Sequence, residues 1–582
     1  MSTIKLFGKA LISEKSNLSF DVVNKVAVTK GYVIHPDVCN KEVMEFLNKI
    51  PLNYNATFYT KWSEVIEKSR FDLFVDQIMH YCSTYGTNFQ GDFYVPNQVN
   101  EIENFLFADL KVILPISAES ASYRACEMLY SGIALSEETI QMLIPLANSV
   151  EIDRIKNKEA LMYFCKELDV LPTDTVEFVR YLVFLGTGKT LLINDKATNM
   201  SLKANKINLT ELVNKFGIEK VASVFHRFKY VFLALKKGNE SIVNKLRKLS
   251  NTYHKPMKIG FFEKLLSDPT CVVDLPKQLE NCNNFKKILI LETILRRKKG
   301  FDMRFFGIRN GKLWAKEEKM IDKKYYTVVY DIIYKSLIES LALKATTVFI
   351  PEGINLTLPT SEKSFVGNYP LGTSFDLGNS DAIVGIHWDE NDNVDDLDLS
   401  LNTIDGKKYG WNSEFYNSDK SVIYSGDITS PYSVNGGKKE AVELFYASKG
   451  FTSSIVNVNR YFGEENCTYR FFLAKEKIIK MDNNYMVHPN NILFTIDMVM
   501  KSAQMILGVL TENNFVLAEF RTGNTIVSGN SITNKYTEYA LETLDCYLNL
   551  KTVLKDAGFI FTQNAKIDLS NLSKDILINL LQ

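Results

Sequence analysis

Apolar residues recur at three- and four-residue intervals through most of residues 100–300, and at two-residue intervals through much of 346–480. The first spacing lays apolar side chains along one stripe of a helix, the second along one face of a strand. Helices are therefore predicted in SEETIQMLIPLANSV, KEALMYFCKEL, TVEFVRYLVFL, NLTELVNKFG, VASVFHRFKYVFLALKK and SIVNKLRKL, with Asp174 and Glu177 as a variant capping box for one of them. The breaks are short and no strict repeat appears, which describes a helical array. Upstream, VAVTKGYVIHP reads as a strand, while KEVMEFLNKI and SEVIEKSRFDLFVDQIMHYC read as amphipathic helices. Past residue 300, FFGIRNGKLWAKE reads as a hairpin turning at Asn310-Gly311, and KYYTVVYDIIYKSLIESLAL as a helix. From Thr346 the predicted strands are TTVFIPEGINLTLP, DAIVGIHWDE, DDLDLSLNTI, SEFYNS, SVIYSGD, AVELFY, SSIVNVNRYF and TYRFFLAK, with helix returning from about Thr537. Short strands between polar turns make a β-sandwich. The expected fold class is α+β multidomain: a mixed region over 1–125, a mainly α-helical array over 126–325, and a sandwich with terminal helices over 345–582.

Composition agrees with a packed chain. Of 582 residues, 46% are hydrophobic and 23% charged, which excludes wholly disordered and collagen-like classes. An apolar stretch such as Met498–Leu510 is interrupted by Lys501 and Gln504, so no membrane insertion is expected. The start lacks a sustained signal-peptide core. The eight cysteines are scattered and form no CxxC pair, which fits free thiols in a cytoplasmic protein.

Charge changes the picture. The formal net charge is zero, yet residues 201–260 carry a net +10 and 286–324 a net +8, so that 201–324 totals +16. VFHRFKYVFLALKK and NKLRKLSNTYHKPMK interleave Arg227, Lys229, Lys245, Arg247 and Lys248 with aromatic rings. Such residues neutralise phosphates and stack on unpaired bases, which points to RNA or single-stranded DNA. The alternative is a solvated helix face with its aromatics in the core. Both readings stand on sequence alone.

Catalytic motifs do not emerge. GTGKT at 186–190 has Val183 where a phosphate-binding loop needs its first glycine, and a helix precedes it where a strand should. A glycine-capped helix end leading into a strand TLLIND accounts for it. The six histidines show neither i, i+4 pairing nor HExxH, and no GxSxG is present. No enzyme is expected.

The sharpest constellation is acidic. In the strand around Asp396-Leu397-Asp398-Leu399-Ser400, alternation puts Asp396, Asp398 and Ser400 on one face and the leucines on the other. Ser425-Gly426-Asp427 ends a nearby hairpin and can add a third carboxylate. Such oxygens suit one hard cation such as calcium, although calcium needs six to eight, and an ordinary acidic strand edge is the alternative.

The run VFIPEGINLTLP…AIVGIHWDE…DDLDLS…IDG…EFYNS…SVIYSGDITS…EAVEL…IVNVNRYFGE resembles the TerD family of tellurium-resistance and stress-response proteins over about 346–480. The resemblance implies a cytoplasmic β-sandwich that binds calcium through acidic loops. By motif, Asp396 and Asp398 match the DxDxS element and Asp427 the SGD element. The family's acidic loop after SGD is here ITSPYSVNGGKKE, retaining Glu440 as the fourth candidate metal ligand and gaining Lys438 and Lys439, so the resemblance leaves at most one site. The helical array with FFGIRNGKLW resembles the RNA-binding TROVE domain, with no residues carried over. The expectation is a non-enzymatic binding or scaffold protein of a TerD-type stress-response or phage-related system, with protein partners. The alternative is an RNA-binding protein with the TerD-like part as regulator.

Overall fold

The computed structural model describes residues 2–12, 18–29, 32–48, 111–257, 259–307, 313–317, 320–390, 395–429, 439–463, 467–476, 491–500, 502–521, 542–570 and 572–582, with Ser69, Phe71, Asp72, Val75 and Val487. Its architecture is α+β and multidomain, helices gathering towards the N-terminal part and strands towards the C-terminal part. The chain divides into two compact units.

One unit holds residues 118–285 with 361–363 and 581–582, and is built from short helices. Polar caps start five of them: Ser136, Asn157, Asp174, Asp195 and Asn208 each accept a hydrogen bond from a first-turn N–H. Asp174 caps Thr175–Thr187 as expected. Glu177 is turned instead towards Arg180 and Lys158, at 2.7 and 3.3 Å. Gly188 ends this helix at φ 70°, its N–H bonded to the Phe184 carbonyl. GTGKT is thus a helix C-terminus, and the strand expected in TLLIND does not form. Phe178, Leu182, Phe225, Phe232 and Leu246 fill the core of this unit.

The other unit holds residues 1–117, 286–360 and 364–580. At its start, Lys9–Leu11, Lys111–Ile116 and Tyr32–Ile34 form a parallel sheet with Lys111–Ile116 in the centre. VAVT, read as strand, lies in the helix Phe20–Thr29, because Phe20, Val23, Val26 and Ala27 recur at helical spacing and pack into one cluster. Lys41–Asn48 is helical as predicted, whereas most of SEVIEKSRFDLFVDQIMHYC lies outside the described residues. Met303–Gly307 pairs antiparallel with Leu313–Glu317, the Asn310-Gly311 turn lying outside the described residues. The helix Lys323–Ala342 follows.

The sandwich strands are β1 (Ile354–Asn355), β2 (Ser374–Asp376), β3 (Asp381–Glu390), β4 (Asp396–Thr403), β5 (Lys408–Gly410), β6 (Val422–Tyr424), β7 (Lys439–Ala447), β8 (Ser454–Phe462), β9 (Thr468–Glu476), β10 (Ile492–Val499), β11 (Gln504–Leu510) and β12 (Asn514–Arg521). One sheet runs β5-β4-β8-β11-β12-β2-β1 and the other β6-β7-β3-β9-β10. Every pairing in both is antiparallel. Leu397, Leu399, Val456 and Phe515 from the first meet Val384, Trp388, Phe445 and Phe471 from the second in one core. SEFYNS, read as a strand, makes only isolated bridges. Thr347–Phe349 leaves the sandwich and pairs with Ile560–Phe561 and Ile567–Asp568. The helices Leu550–Asp556 and Lys574–Leu581 lie in the expected terminal stretch.

Candidate metal centre

Strand β4 carries the site because its two faces differ. Leu397, Leu399 and Leu401 point into the sandwich core, so alternation sends Asp396, Asp398 and Ser400 to the opposite face. That face is also buried: Asp396, Asp398 and Ser400 are 7%, 2% and 0% exposed. Antiparallel pairing with β8 sets Asn459 beside Asp398 and Asn457 beside Ser400, both buried. Asp427, exposed beyond the end of β6, approaches from the hairpin. One oxygen each from Asp396, Asp398 and Asp427 lies within 4.8 Å of the others. Oxygens sharing one calcium ion at 2.3–2.6 Å are separated by no more than about 5 Å, so the spacing fits.

The electrostatics favour a cation. Asp396 Oδ1, Asp398 Oδ2 and Asn459 Oδ1 are buried without a hydrogen-bond partner, and all three are acceptors. A buried acceptor left without a donor is costly, and a cation is the partner that satisfies several at once. Burial, with repulsion from Asp427, pushes the Asp396 carboxyl up to about 6. Burial, then repulsion from Asp396 and Asp427, pushes Asp398 up to about 8, against an opposing pull from Lys408. Burial also raises Asp427. The donor set is hard and anionic, and it fits calcium better than a soft metal.

Glu443 on β7 braces this arrangement from the other sheet. It is fully buried, and both its oxygens are engaged. Oε2 accepts from the Leu399 N–H at 2.7 Å and from the Tyr424 hydroxyl at 2.6 Å, while Oε1 accepts from the Ile428 N–H at 3.0 Å. Leu399 follows Asp398 and Ile428 follows Asp427, so one carboxyl ties together the backbone beside two candidate ligands. Burial raises its pKa well above the usual range, the three donors opposing and Asp398 adding to the rise. Sequence reading missed Glu443 and Asn459. The available signal was a lone acid within the apolar strand AVELFYA, and an asparagine at every second position of IVNVN. Glu440 falls opposite Asp389 in the β7–β3 register, but its side chain, Lys438 and most of the loop before β7 lie outside the described residues.

The predicted nucleic-acid residues separate into exposed cations and buried rings. Lys229, Lys245, Arg247 and Lys248 are exposed, and Arg227 is half-buried against the Phe228 ring at 5.2 Å. Phe225 and Phe232 are core residues, unavailable for stacking on bases. On the helix Glu240–Tyr253 the three cations spread around the solvent side opposite Ile242, Val243 and Leu246, as the 3.6-residue period dictates.

In 286–324 some of the positive charge is turned inward, while Lys286, Lys299, Lys323 and Lys324 are exposed. Lys287 is buried and donates to the Ser336 carbonyl. Arg297 is buried and donates to the Tyr326 hydroxyl at 3.1 Å. Lys298 lies over the Tyr330 ring, and Lys299 pairs with Asp545. Each of these four groups has a partner within its own unit, and for Lys299 that partner is a carboxylate. Among the described residues, no helix is long and apolar enough to cross a membrane. No family model matches the chain, and a comparison with curated proteins finds no match.

Proposed function

We propose that this chain is a non-enzymatic, calcium-responsive binding protein of TerD type, in which one cation at Asp396, Asp398 and Asp427 braces a sandwich that contacts partner proteins. The observation that carries the reading is the gathering of three carboxylate oxygens beside buried acceptors that have no donor. The order of sequence motifs, from DDLDLS through SGD, supports it independently. Asp396 and Asp398 supply buried charge from one strand, and Asp427 closes the site from the surface. Only three carboxylates converge, so backbone carbonyls and water complete the six to eight oxygens calcium takes, and the affinity is modest. Calorimetric titration of the full chain with calcium tests this, with magnesium as the control. One calcium bound, and none after Asp396→Asn with Asp398→Asn, is the expected result. Unchanged binding in that variant would place the ion elsewhere.

A second reading rests on the exposed Lys229, Lys245, Arg247 and Lys248, which join no ion pair among the described residues. They give the helical unit a surface for the backbone of RNA or single-stranded DNA. With Phe225 and Phe232 in the core, contact is to phosphates and falls steeply with salt. Reversing Arg227, Lys229, Lys245 and Arg247 to Glu should abolish a low-salt gel shift while leaving the circular dichroism spectrum unchanged. No shift with the parent protein would end this reading.

A further inference from the structure

A second site lies away from the acidic strand, within the same unit. Leu289, Glu292 and Arg296, from one face of the helix Asn284–Lys299, line a cavity of about 180 Å³ with Leu358, Pro359, Thr360, Ser364, Leu371 and Tyr547. The C-terminal segment is held there by backbone bonds from Leu358 N–H to the Leu548 carbonyl and from Leu550 N–H to the Leu356 carbonyl.

Glu292 is the anomaly. It is 3% exposed, and its Oε1 is buried with no hydrogen-bond partner. Its Oε2 lies 3.7 Å from Arg296 Nη2, a long contact for a charge pair. Arg296 is held in turn, its guanidinium 5.5 Å from the centre of the Tyr547 ring. Burial, partly offset by Arg296 and by the Leu548 backbone N–H, pushes the Glu292 carboxyl up to about 7. Glu292 therefore lines the cavity with one acceptor that the protein leaves unfilled, and a ligand N–H would satisfy this side chain.

The lining narrows the ligand further. Glu292 and Arg296 offset one another, so a neutral molecule suits the site better than an ion, which would have to shed its hydration without a net opposite charge. Leu289, Leu358 and Leu371 provide apolar contact, and Thr360 Oγ1 and Ser364 Oγ, 2.9 Å apart, provide a hydroxyl edge. A cavity of about 150 Å³ takes one benzene-sized ring, so this one has room for a ring with its substituents. Leu289 is 48% exposed and marks the mouth.

We propose that this cavity binds a small neutral ring bearing an N–H beside a carbonyl, the edge that nucleobases and other cyclic lactams present, with the N–H donated to Glu292 and the carbonyl facing Arg296. A buried hydrogen bond to a carboxylate is worth roughly 1.5–3 kcal/mol, so losing it weakens binding by about tenfold or more.

The test uses the full chain, with uracil as the probe and 1,3-dimethyluracil, which lacks both N–H groups, as its matched control. Calorimetry or ligand-observed NMR at millimolar ligand should detect uracil and not the dimethyl compound. Glu292→Leu, which removes the acceptor and keeps most of the volume, should weaken uracil by about tenfold or more. Leu289→Trp, a change at the half-exposed mouth that leaves the core intact, should block uracil without lowering the unfolding midpoint. Absence of uracil binding would overturn the proposal. Equal binding of the two compounds would also overturn it, since the cavity would then accept any apolar ring. Uracil binding unchanged by Leu289→Trp would place the ligand elsewhere and overturn it as well.

Discussion

Strand β4 and the helix Asn284–Lys299 are both dense in charge, and they handle it in opposite ways. On β4, Asp396 and Asp398 are drawn into a buried face beside Asp427, and neither carboxylate gains a cation of the protein's own at bonding distance among the described residues. Along the helix, Arg296, Arg297, Lys298 and Lys299 each meet a carboxylate, a hydroxyl or an aromatic ring. Equal concentrations of charge in sequence thus have different meanings. Matched charge belongs to the fold, and gathered like charge waits for a ligand.

The largest expected effect is at Glu443. Glu443→Ala leaves the Leu399 and Ile428 N–H groups and the Tyr424 hydroxyl without their acceptor. It should cost about 3–5 kcal/mol in urea denaturation, with Glu443→Gln milder because one oxygen still accepts. A near-neutral Glu443→Ala would mean that the acidic face is not braced from the second sheet.

Arg297→Ala comes next. It removes a buried guanidinium from the Tyr326 hydroxyl and ring, and about 2–3 kcal/mol should be lost. If that variant instead weakened nucleic-acid binding at unchanged stability, the helix would belong to a binding surface and the contrast would fail.

A smaller effect of opposite sign is expected at the acidic face. With calcium chelated, Asp396→Asn together with Asp398→Asn relieves like-charge burial and should raise stability by about 1 kcal/mol. The same variant should lose the stabilisation that calcium gives the parent, which grows with the logarithm of its concentration above Kd. A calcium-dependent shift that survives both changes would show that the contrast is not about ligand binding.

The same two carboxyls also set a pH dependence. Both carboxyls sit above their ordinary value of 3.8, so the folded chain holds their protons more tightly than the unfolded one. Their contribution is complete below about pH 4 and is lost as pH rises through about 6 and then about 8. The unfolding midpoint of the chelated protein should therefore fall more between pH 5 and 8.5 than that of the double Asn variant. Parallel curves would remove the electrostatic argument for the site.

Periodicity and local chemistry determined much of this protein. The cap at Asp174, the Gly188 helix end and the alternation of Asp396 and Asp398 against three leucines depend on neighbours a few residues away, so they were legible in sequence. VAVT was misread because a four-residue apolar run suits strand or helix, and packing against Ile34 and Val43 decided it. Burial and pairing needed the tertiary structure. Sequence counted Arg297, Lys298 and Lys299 as free positive charge, yet their partners Tyr326, Tyr330 and Asp545 lie 29 to 246 positions away along the chain. Glu443 reaches Leu399 across 44 positions for the same reason. A side chain's identity sets what charge it carries, but only the fold sets what stands opposite it, and the energy of a charge is decided there.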